Sequence, residues 1–237
     1  MFSNPYPFVV ATVFLIPGAL LAILVHELGH GLAADWMGDR TPRNRGYLSP
    51  DNPRKFFTPY GLLMMVFWHV GWGERIPVNE YRQTGVAQKL LYDLAGPAAN
   101  LLLAVVFGLA TRPLITAVNP TTVVQPPLNL LATVLYAAYF ANLAVMAFNL
   151  LPVPGFDGWR ILETLLRRRF PRFFIDVSMR QVQIQQVLIL GLFIGQFVAG
   201  NLLNVALVPF YAPAATVILG GCSGYLGLVP CLPSAGL

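Results

Sequence analysis

The chain has 237 residues, of which 56% are hydrophobic and only 11% are charged. Its mean hydropathy of +0.63 excludes an ordinary soluble globular domain, and repeated long apolar runs predict a polytopic all-α membrane protein with about four to six transmembrane helices. The net charge of +5 does not indicate nucleic-acid binding, because all but one of the 15 Lys and Arg residues fall in three polar loops, at 38–56, 74–89 and 160–180. The positive-inside rule places these loops in the cytoplasm.

The first apolar run predicts a spanning helix over about residues 8–37, and this helix contains the sequence HELGH. Because positions i and i+4 share one helix face, His26 and His30 can bind one metal ion with Glu27 beside it. This pattern is typical of two zinc ligands and a general base. A chance match is the alternative, but an ionisable residue in a bilayer helix costs at least ~2.5 kcal/mol, so three clustered ones indicate a functional site.

The next apolar stretch, at about 62–72, is too short to cross a bilayer as a helix, and basic loops flank it. We therefore predict a re-entrant or β-like element over about 57–80, between the first and second spanning helices. It contains His69, the third histidine of the chain. A lone histidine beside tryptophan is more often a packed or interfacial residue than a ligand, and for His69 both packing and the handling of metal or substrate stay open.

A further spanning helix is predicted over about 87–111, and it carries the sequence AGPAAN at 95–100. Small residues let a neighbouring helix approach closely, so this stretch is expected to pack against the metal-bearing helix. Asn100 needs a hydrogen-bond partner within the hydrocarbon, and we expect that partner across the same interface.

The following helix, about 128–150, ends in the proline- and glycine-rich stretch 149–158. These residues break the helix and present Asp157 on a turn near the inner face of the membrane. Catalytic zinc commonly takes three protein ligands and leaves a fourth position for water, so a carboxylate is the ligand still missing. The alternative is an aspartate that only ends a helix in a cytoplasmic turn.

Residues 1–165 are thus predicted to form the catalytic membrane core, and 166–237 a basic stretch followed by one or two C-terminal transmembrane segments. The triple arginine at 167–169 is interpreted as a topology signal that anionic lipid can reinforce. No stretch is long and polar enough to predict a PDZ or other soluble domain. Cys222 and Cys231 match no zinc spacing and are compatible with a disulfide or with two free thiols.

Five motifs follow one another over about residues 20–165: HELGH, GDRTPRNRGYLSPDNPRKFFTPYG, GWGERIPVN, AGPAAN and FNLLPVPGFDGWRIL. In this order and spacing they resemble the site-2 protease family of intramembrane zinc metalloproteases, and in particular its small bacterial and archaeal members. One departure lies at 56–59, where the sequence FFTP replaces a loop that carries a histidine before Asp-Pro in similar members. No extra histidine is therefore expected to act from that loop.

The resemblance implies one Zn²⁺ per chain, bound by His26, His30 and Asp157, with Glu27 as the general base. Asn149 matches the family's asparagine that helps to hold the substrate or its developing oxyanion, and Asn100 matches the small and polar position of the family's Gly-Pro motif. The implied activity is hydrolysis of peptide bonds within or near transmembrane segments of membrane proteins. The implied location is a bacterial or archaeal cell membrane, with the active site toward the cytoplasm.

A helical substrate hides its carbonyls in backbone hydrogen bonds, so it must unwind or extend beside a strand-like edge, for which residues 71–78 are the candidate. Two other classes of protein stay open. A membrane metal transporter would need ligands on several helices along a path, whereas this chain has only three histidines. An inactive scaffold would be expected to have lost the general base or a ligand, and neither is lost.

Overall fold

The computed structural model describes residues 6–49, 53–68, 72–79, 82, 85–117, 126–199 and 202–219. The α-helices within these ranges are α1 (Tyr6–Trp36), α2 (Thr41–Asn44), α3 (Pro59–Trp68), α4 (Val86–Ala117), α5 (Pro126–Asn149), α6 (Asp157–Leu166), α7 (Pro171–Met179), α8 (Gln181–Ala199) and α9 (Leu202–Leu219). The predicted all-α class is confirmed. His69, Cys222 and Cys231 lie outside the described residues.

Three of the described helices are long and apolar enough to cross a membrane, over Thr12–Trp36, Val86–Leu114 and Leu130–Asn149. They correspond to the helices predicted at about 8–37, 87–111 and 128–150. Leu102, Val106 and Leu109 of α4 are each more than half exposed, which is apolar surface that a bilayer would cover. The other described helices of 18 residues or more are α8 and α9. The number of spanning helices, four to six by sequence, stays a prediction beyond these three.

The three spanning helices α1, α4 and α5 contact one another and form the centre of the molecule. Small residues permit this close approach: a Cβ at Gly18 would lie 2.6 Å from the Cα of Ala138, and a Cβ at Gly29 would lie 2.6 Å from the carbonyl oxygen of Ala95. Helix α9 packs against α5 and α4 on another side. The three spanning helices therefore hold their facing side chains in a fixed arrangement.

Between α1 and α4, the described part of the stretch predicted as a re-entrant or β-like element contains helix α3 and one isolated β-bridge. Residues 72–79 follow α3 and belong to no helix, and we call them the extended segment because Gly73 pairs in a β-bridge. Phe57 and Gly73 form an antiparallel bridge, and the Glu74 N–H donates to the Phe56 carbonyl at 2.9 Å. These bonds fix one edge of the extended segment beside Ile23 and Glu27 of α1.

Asp39, directly after α1, holds this extended segment and α2 in place. Its carboxylate accepts hydrogen bonds from the Thr41 N–H (3.0 Å), the Thr41 hydroxyl (2.6 Å) and the Asn79 N–H (2.6 Å). Only 2% of the Asp39 surface is exposed. Burial alone would raise the pKa of Asp39, but the three hydrogen bonds outweigh burial and hold that pKa below its usual value.

We expect Asp39→Asn to lower the free energy of unfolding by about 1–3 kcal/mol at neutral pH, because an amide cannot accept from all three donors. Folding lowers the pKa of Asp39, so the stabilisation is complete above the unfolded pKa of about 3.9 and is lost as the pH falls through the folded pKa. Thermal unfolding in detergent should therefore show a difference from wild type that shrinks below about pH 4. The exposed Asp176→Asn is the control, and a difference for Asp39→Asn that does not change with pH would contradict this account.

Candidate metal centre

The three predicted metal ligands meet at one point between α1 and the start of α6. The Nε2 atoms of His26 and His30 lie 3.2 Å apart, as expected for residues one helical turn apart. The Asp157 Oδ2 lies 3.0 Å from the His26 Nε2 and 3.1 Å from the His30 Nε2. All three residues are buried, with 3–4% of their surface exposed.

This donor set fits zinc. Two imidazole nitrogens and one carboxylate oxygen are ligands of catalytic zinc sites, in which a fourth position stays open. Ligand atoms at the corners of a tetrahedron around zinc are separated by about 3.3 Å, close to the separations found here. His26, His30 and Asp157 would hold the ion.

Both histidines are oriented by a hydrogen bond from the ring nitrogen that faces away from the cluster. The His26 Nδ1–H donates to the Asn100 Oδ1 at 2.7 Å, and the His30 Nδ1–H donates to the Tyr92 carbonyl at 2.7 Å. These bonds leave each Nε2 unprotonated and free to bind a metal. Asn100 on α4 thus orients the metal ligand His26 across the interface with α1, where the sequence predicts a partner for Asn100.

The amide of Asn100 is itself held in a fixed orientation. Its Nδ2 donates to the Ala22 carbonyl at 2.8 Å and to the Asn142 Oδ1 at 3.0 Å. Asn142 in turn donates to the Ala138 carbonyl at 2.8 Å. Because both N–H groups of Asn100 are engaged, only its oxygen is available to accept from His26.

We expect Asn100→Leu to weaken zinc binding about 10- to 100-fold, because His26 loses the acceptor that fixes its ring and tautomer. Competition with a chelator of known zinc affinity measures this loss. Asn149→Leu is the matched control, since Asn149 lines the same cavity but its side chain donates to the Val145 carbonyl and not to a histidine ring. Equal zinc affinity in Asn100→Leu and wild type would contradict the supporting role.

Gly96 on α4 keeps open the space beside the ligand atoms. A Cβ at this position would lie 2.3 Å from the His30 Nε2 and 2.8 Å from the His26 Nε2. The AGPAAN stretch is thus packed against the metal-bearing helix, as the sequence predicts. Gly96 does more than permit close packing of the helices, because it faces the two nitrogens that would bind the ion.

Asp157 reaches the histidines from a sharp reversal of the chain after α5. Gly155 has φ +100, a conformation that favours glycine, and Phe156 packs against Phe148 with ring centroids 4.7 Å apart. The sequence predicts that Asp157 lies on a turn that extends over 149–158. In the structure the prolines and Gly155 complete the reversal earlier, and Asp157 is the first residue of α6.

A cavity of about 430 Å³ adjoins the three ligands. Glu27 is buried at its wall, and its Oε2 accepts a hydrogen bond from the Ile76 N–H at 3.3 Å. Asn149, half-buried at the end of α5, also lines the cavity and donates from Nδ2 to the Val145 carbonyl at 2.9 Å. Of the predicted site residues within the described ranges, the cavity brings together His26, Glu27, His30, Asn149 and Asp157.

Comparison with known proteins places the chain in a family. The model of peptidase family M50 matches residues 14–193, which include every residue of this site. The chain belongs to peptidase family M50, the site-2 protease family. The resemblance found in the five motifs is thereby confirmed.

Two relatives illustrate the extent of the M50 similarity. The "Putative zinc metalloprotease Rip2" of Mycobacterium tuberculosis is 34% identical over 170 residues, which cover 69% of this chain and 61% of the relative. The "Putative zinc metalloprotease YwhC" of Bacillus subtilis is 31% identical over 156 residues, which cover 65% of this chain and 69% of the relative. The match therefore spans about three fifths of the mycobacterial protein. No solved structure matches the chain.

This M50 chain also contains an ion pair near the metal ligands that sequence reasoning missed. The Arg160 Nε, one helical turn after Asp157, lies 2.7 Å from the Oδ1 of the buried Asp93. The Arg160 guanidinium also lies over the ring of Tyr92, at 5.2 Å, and Tyr92 is the residue whose carbonyl holds His30. The pair thus joins α6 to α4 beside the ligands. Asp93 is the one acidic residue in the described apolar helix α4, a signal that points to a functional position.

Arg75 is a second residue that sequence reasoning missed. It lies on the extended segment, donates a hydrogen bond to the Gly155 carbonyl, and has its Nη2 3.8 Å from the Asp157 Oδ1. It therefore joins the extended segment to the chain reversal that presents the third ligand. No local pattern in the sequence indicates this contact, because residues 75 and 155 are distant along the chain.

Proposed function

We propose that this M50 peptidase is an intramembrane zinc metalloprotease, which hydrolyses peptide bonds within or near transmembrane segments of membrane proteins. The cluster of His26, His30 and Asp157 carries the proposal, because it lies beside a cavity among helices that are long enough to span a membrane. The two relatives carry the name "Putative zinc metalloprotease", which supports the same chemistry. The positive-inside rule assigns the basic loops to the cytoplasm, which supports an active site that opens on that side. The biological process that we propose is regulated intramembrane proteolysis.

Zinc held by the three ligands would act as a Lewis acid that makes a water nucleophilic near neutral pH. Glu27, next to His26 in the chain, is the general base: its carboxylate takes the proton of that water and returns it to the leaving amine nitrogen. The Ile76 N–H holds one oxygen of Glu27, which fixes the carboxylate at the cavity wall. Asn149 lines the same cavity, and we infer that the second N–H of its amide donates to the substrate carbonyl.

The extended segment 72–79 provides an edge for an unwound substrate. The N–H groups of Glu74 and Ile76 point toward the protein, to the Phe56 carbonyl and to Glu27. Gly73, Glu74 and Arg75 all line the cavity, and we infer that the backbone groups of Gly73 and Arg75 are the ones that a substrate strand would meet. A substrate strand can add to this edge and bring its carbonyl to the ligands.

A metal transporter is less well supported. In the part of the chain that the structure describes, His26, His30 and Asp157 are the one group of three or more His, Cys, Asp or Glu side chains close enough to hold an ion. Transport requires several sites along a path, whereas one site with a base beside it suits hydrolysis.

The protein reconstituted in liposomes with a panel of single-span membrane proteins tests the proposal. We expect about one zinc per chain by elemental analysis, with zinc lost in both His26→Ala and Asp157→Ala. Mass spectrometry of the products should locate cuts within or next to the hydrophobic segment, and only in the zinc-containing protein. Retention of zinc in both variants, or cleavage confined to soluble loops, would contradict the proposal.

A further inference from the structure

A second and larger cleft, of about 1140 Å³, adjoins the metal cavity. The two share four lining residues, Arg75, Gly155, Arg160 and Gln181. Residues at the end of the extended segment, Val78 and Asn79, also line the larger cleft. A peptide strand added to the 73–75 edge would therefore continue from the ligands into this space.

The cleft carries a surplus of positive charge. Six cationic side chains line it: Arg45, Arg75, Lys89, Arg160, Arg167 and Arg168. Its two carboxylates are already paired, Asp93 with Arg160 at 2.7 Å and Glu163 with Arg167 at 2.7 Å. Arg75 lies 3.8 Å from the Asp157 carboxylate, so Arg45, Lys89 and Arg168 are the cations of the cleft without a carboxylate partner among the described residues.

Three of these cations come from separate parts of the fold. Arg45 follows α2, Lys89 lies in the first turn of α4, and Arg168 follows α6. All three are exposed, and none has an acidic partner among the described residues. A topology signal requires basic loops but does not require their side chains to meet in one cleft beside the active site. Their convergence indicates a ligand of opposite charge.

We propose that this cleft binds an acidic segment of the substrate. This segment is the polar part of the substrate chain that directly adjoins the cleaved transmembrane segment, on the side of the membrane where the cleft opens. The inference rests on the proposed protease function and adds a specificity determinant to it. A peptide fits better than a lipid head group, because the cleft is continuous with the metal cavity and with the extended edge. Charge complementarity of this kind selects partners and speeds their association.

Fluorescence polarisation of two labelled peptides of equal length, one rich in glutamate and one rich in lysine, tests the proposal. The full chain is placed in phosphatidylcholine nanodiscs without added zinc. We expect the glutamate-rich peptide to bind at least about tenfold more tightly, with an affinity that falls as salt rises. The double substitution Lys89→Glu and Arg168→Glu should weaken its binding about tenfold.

The matched control is Arg169→Glu with Arg172→Glu, which reverses two exposed arginines nearby that do not line the cleft. We expect it to change binding less than about twofold. Equal weakening in both double variants would overturn the proposal, because diffuse surface charge would then explain the binding. Displacement of the peptide when phosphatidylglycerol is added to the nanodiscs would also overturn it, in favour of a lipid head group.

Peptide binding is measured here without zinc or turnover. The result therefore decides the role of the cleft by itself. Failure of the protease function would be seen separately, as absence of cleavage in the liposome experiment.

Discussion

The variant Gly96→Ala is expected to lose zinc and proteolytic activity together while the helices still form. The added Cβ would lie 2.3 Å from the His30 Nε2 and 2.8 Å from the His26 Nε2, and both distances are too short for a non-bonded contact between carbon and nitrogen. The rings must move apart, yet each is held from behind by a hydrogen bond to Asn100 or to the Tyr92 carbonyl. A methyl group would thus occupy the space that the ion needs. Elemental analysis should find zinc reduced to the level of His26→Ala.

Gly191→Ala provides the matched control for this substitution. Gly191 also lies within a helix, α8, but a Cβ there meets no atom within 4 Å. Alanine is favoured over glycine by about 1 kcal/mol in a helix, so this variant should keep its zinc and unfold at the same or a higher temperature. Zinc bound at one per chain in Gly96→Ala would contradict the position of Gly96 at the ligand atoms.

The local parts of the site could be predicted from sequence because they depend on helix geometry alone. His26 and His30 lie one turn apart in any α-helix, and Glu27 follows from the same motif. The spanning helices are equally local, since long apolar runs have few other stable structures in a bilayer. Observed helix ends therefore fall within a few residues of most predicted ones.

The parts that depend on how helices are rotated against one another could not be predicted. The contact between His30 and the Tyr92 carbonyl joins residues 62 apart in the chain, and that carbonyl carries no side-chain signal at all. Gly96 could be recognised as a packing residue, but its position at the ligand atoms depends on the rotation of α4 about its own axis. A carboxylate after a helix break makes Asp157 a candidate ligand, but the sequence does not predict its place at the start of α6.

The ion pair of Asp93 with Arg160 lies between these cases. Asp93 lies in an apolar helix, where an ionisable residue is as costly as those of the HELGH motif. This cost is a signal by which Asp93 can be recognised from the sequence. Its partner could not have been named, because several arginines follow Asp157 and only the packing of α6 on α4 selects Arg160.

The second large effect is expected for Glu27→Gln, which should retain about one zinc per chain and lose peptide hydrolysis by about 10²- to 10⁴-fold. Zinc should stay because the three clustered donor atoms belong to other residues. The glutamine oxygen can still accept from the Ile76 N–H, so the side chain keeps its place while it loses the ability to take a proton.

Glu74→Gln is the control for Glu27→Gln, because Glu74 lines the same cavity but is exposed and belongs to the extended segment. Cleavage of the membrane-protein panel should stay near wild type in this control. A transporter or a scaffold would behave differently, since neither requires a general base and Glu27→Gln would leave metal flux or binding to partners intact. Wild-type cleavage by Glu27→Gln would therefore rule out Glu27 as the base. Zinc retained without cleavage would show that Glu27 is needed for hydrolysis but not for binding of the metal.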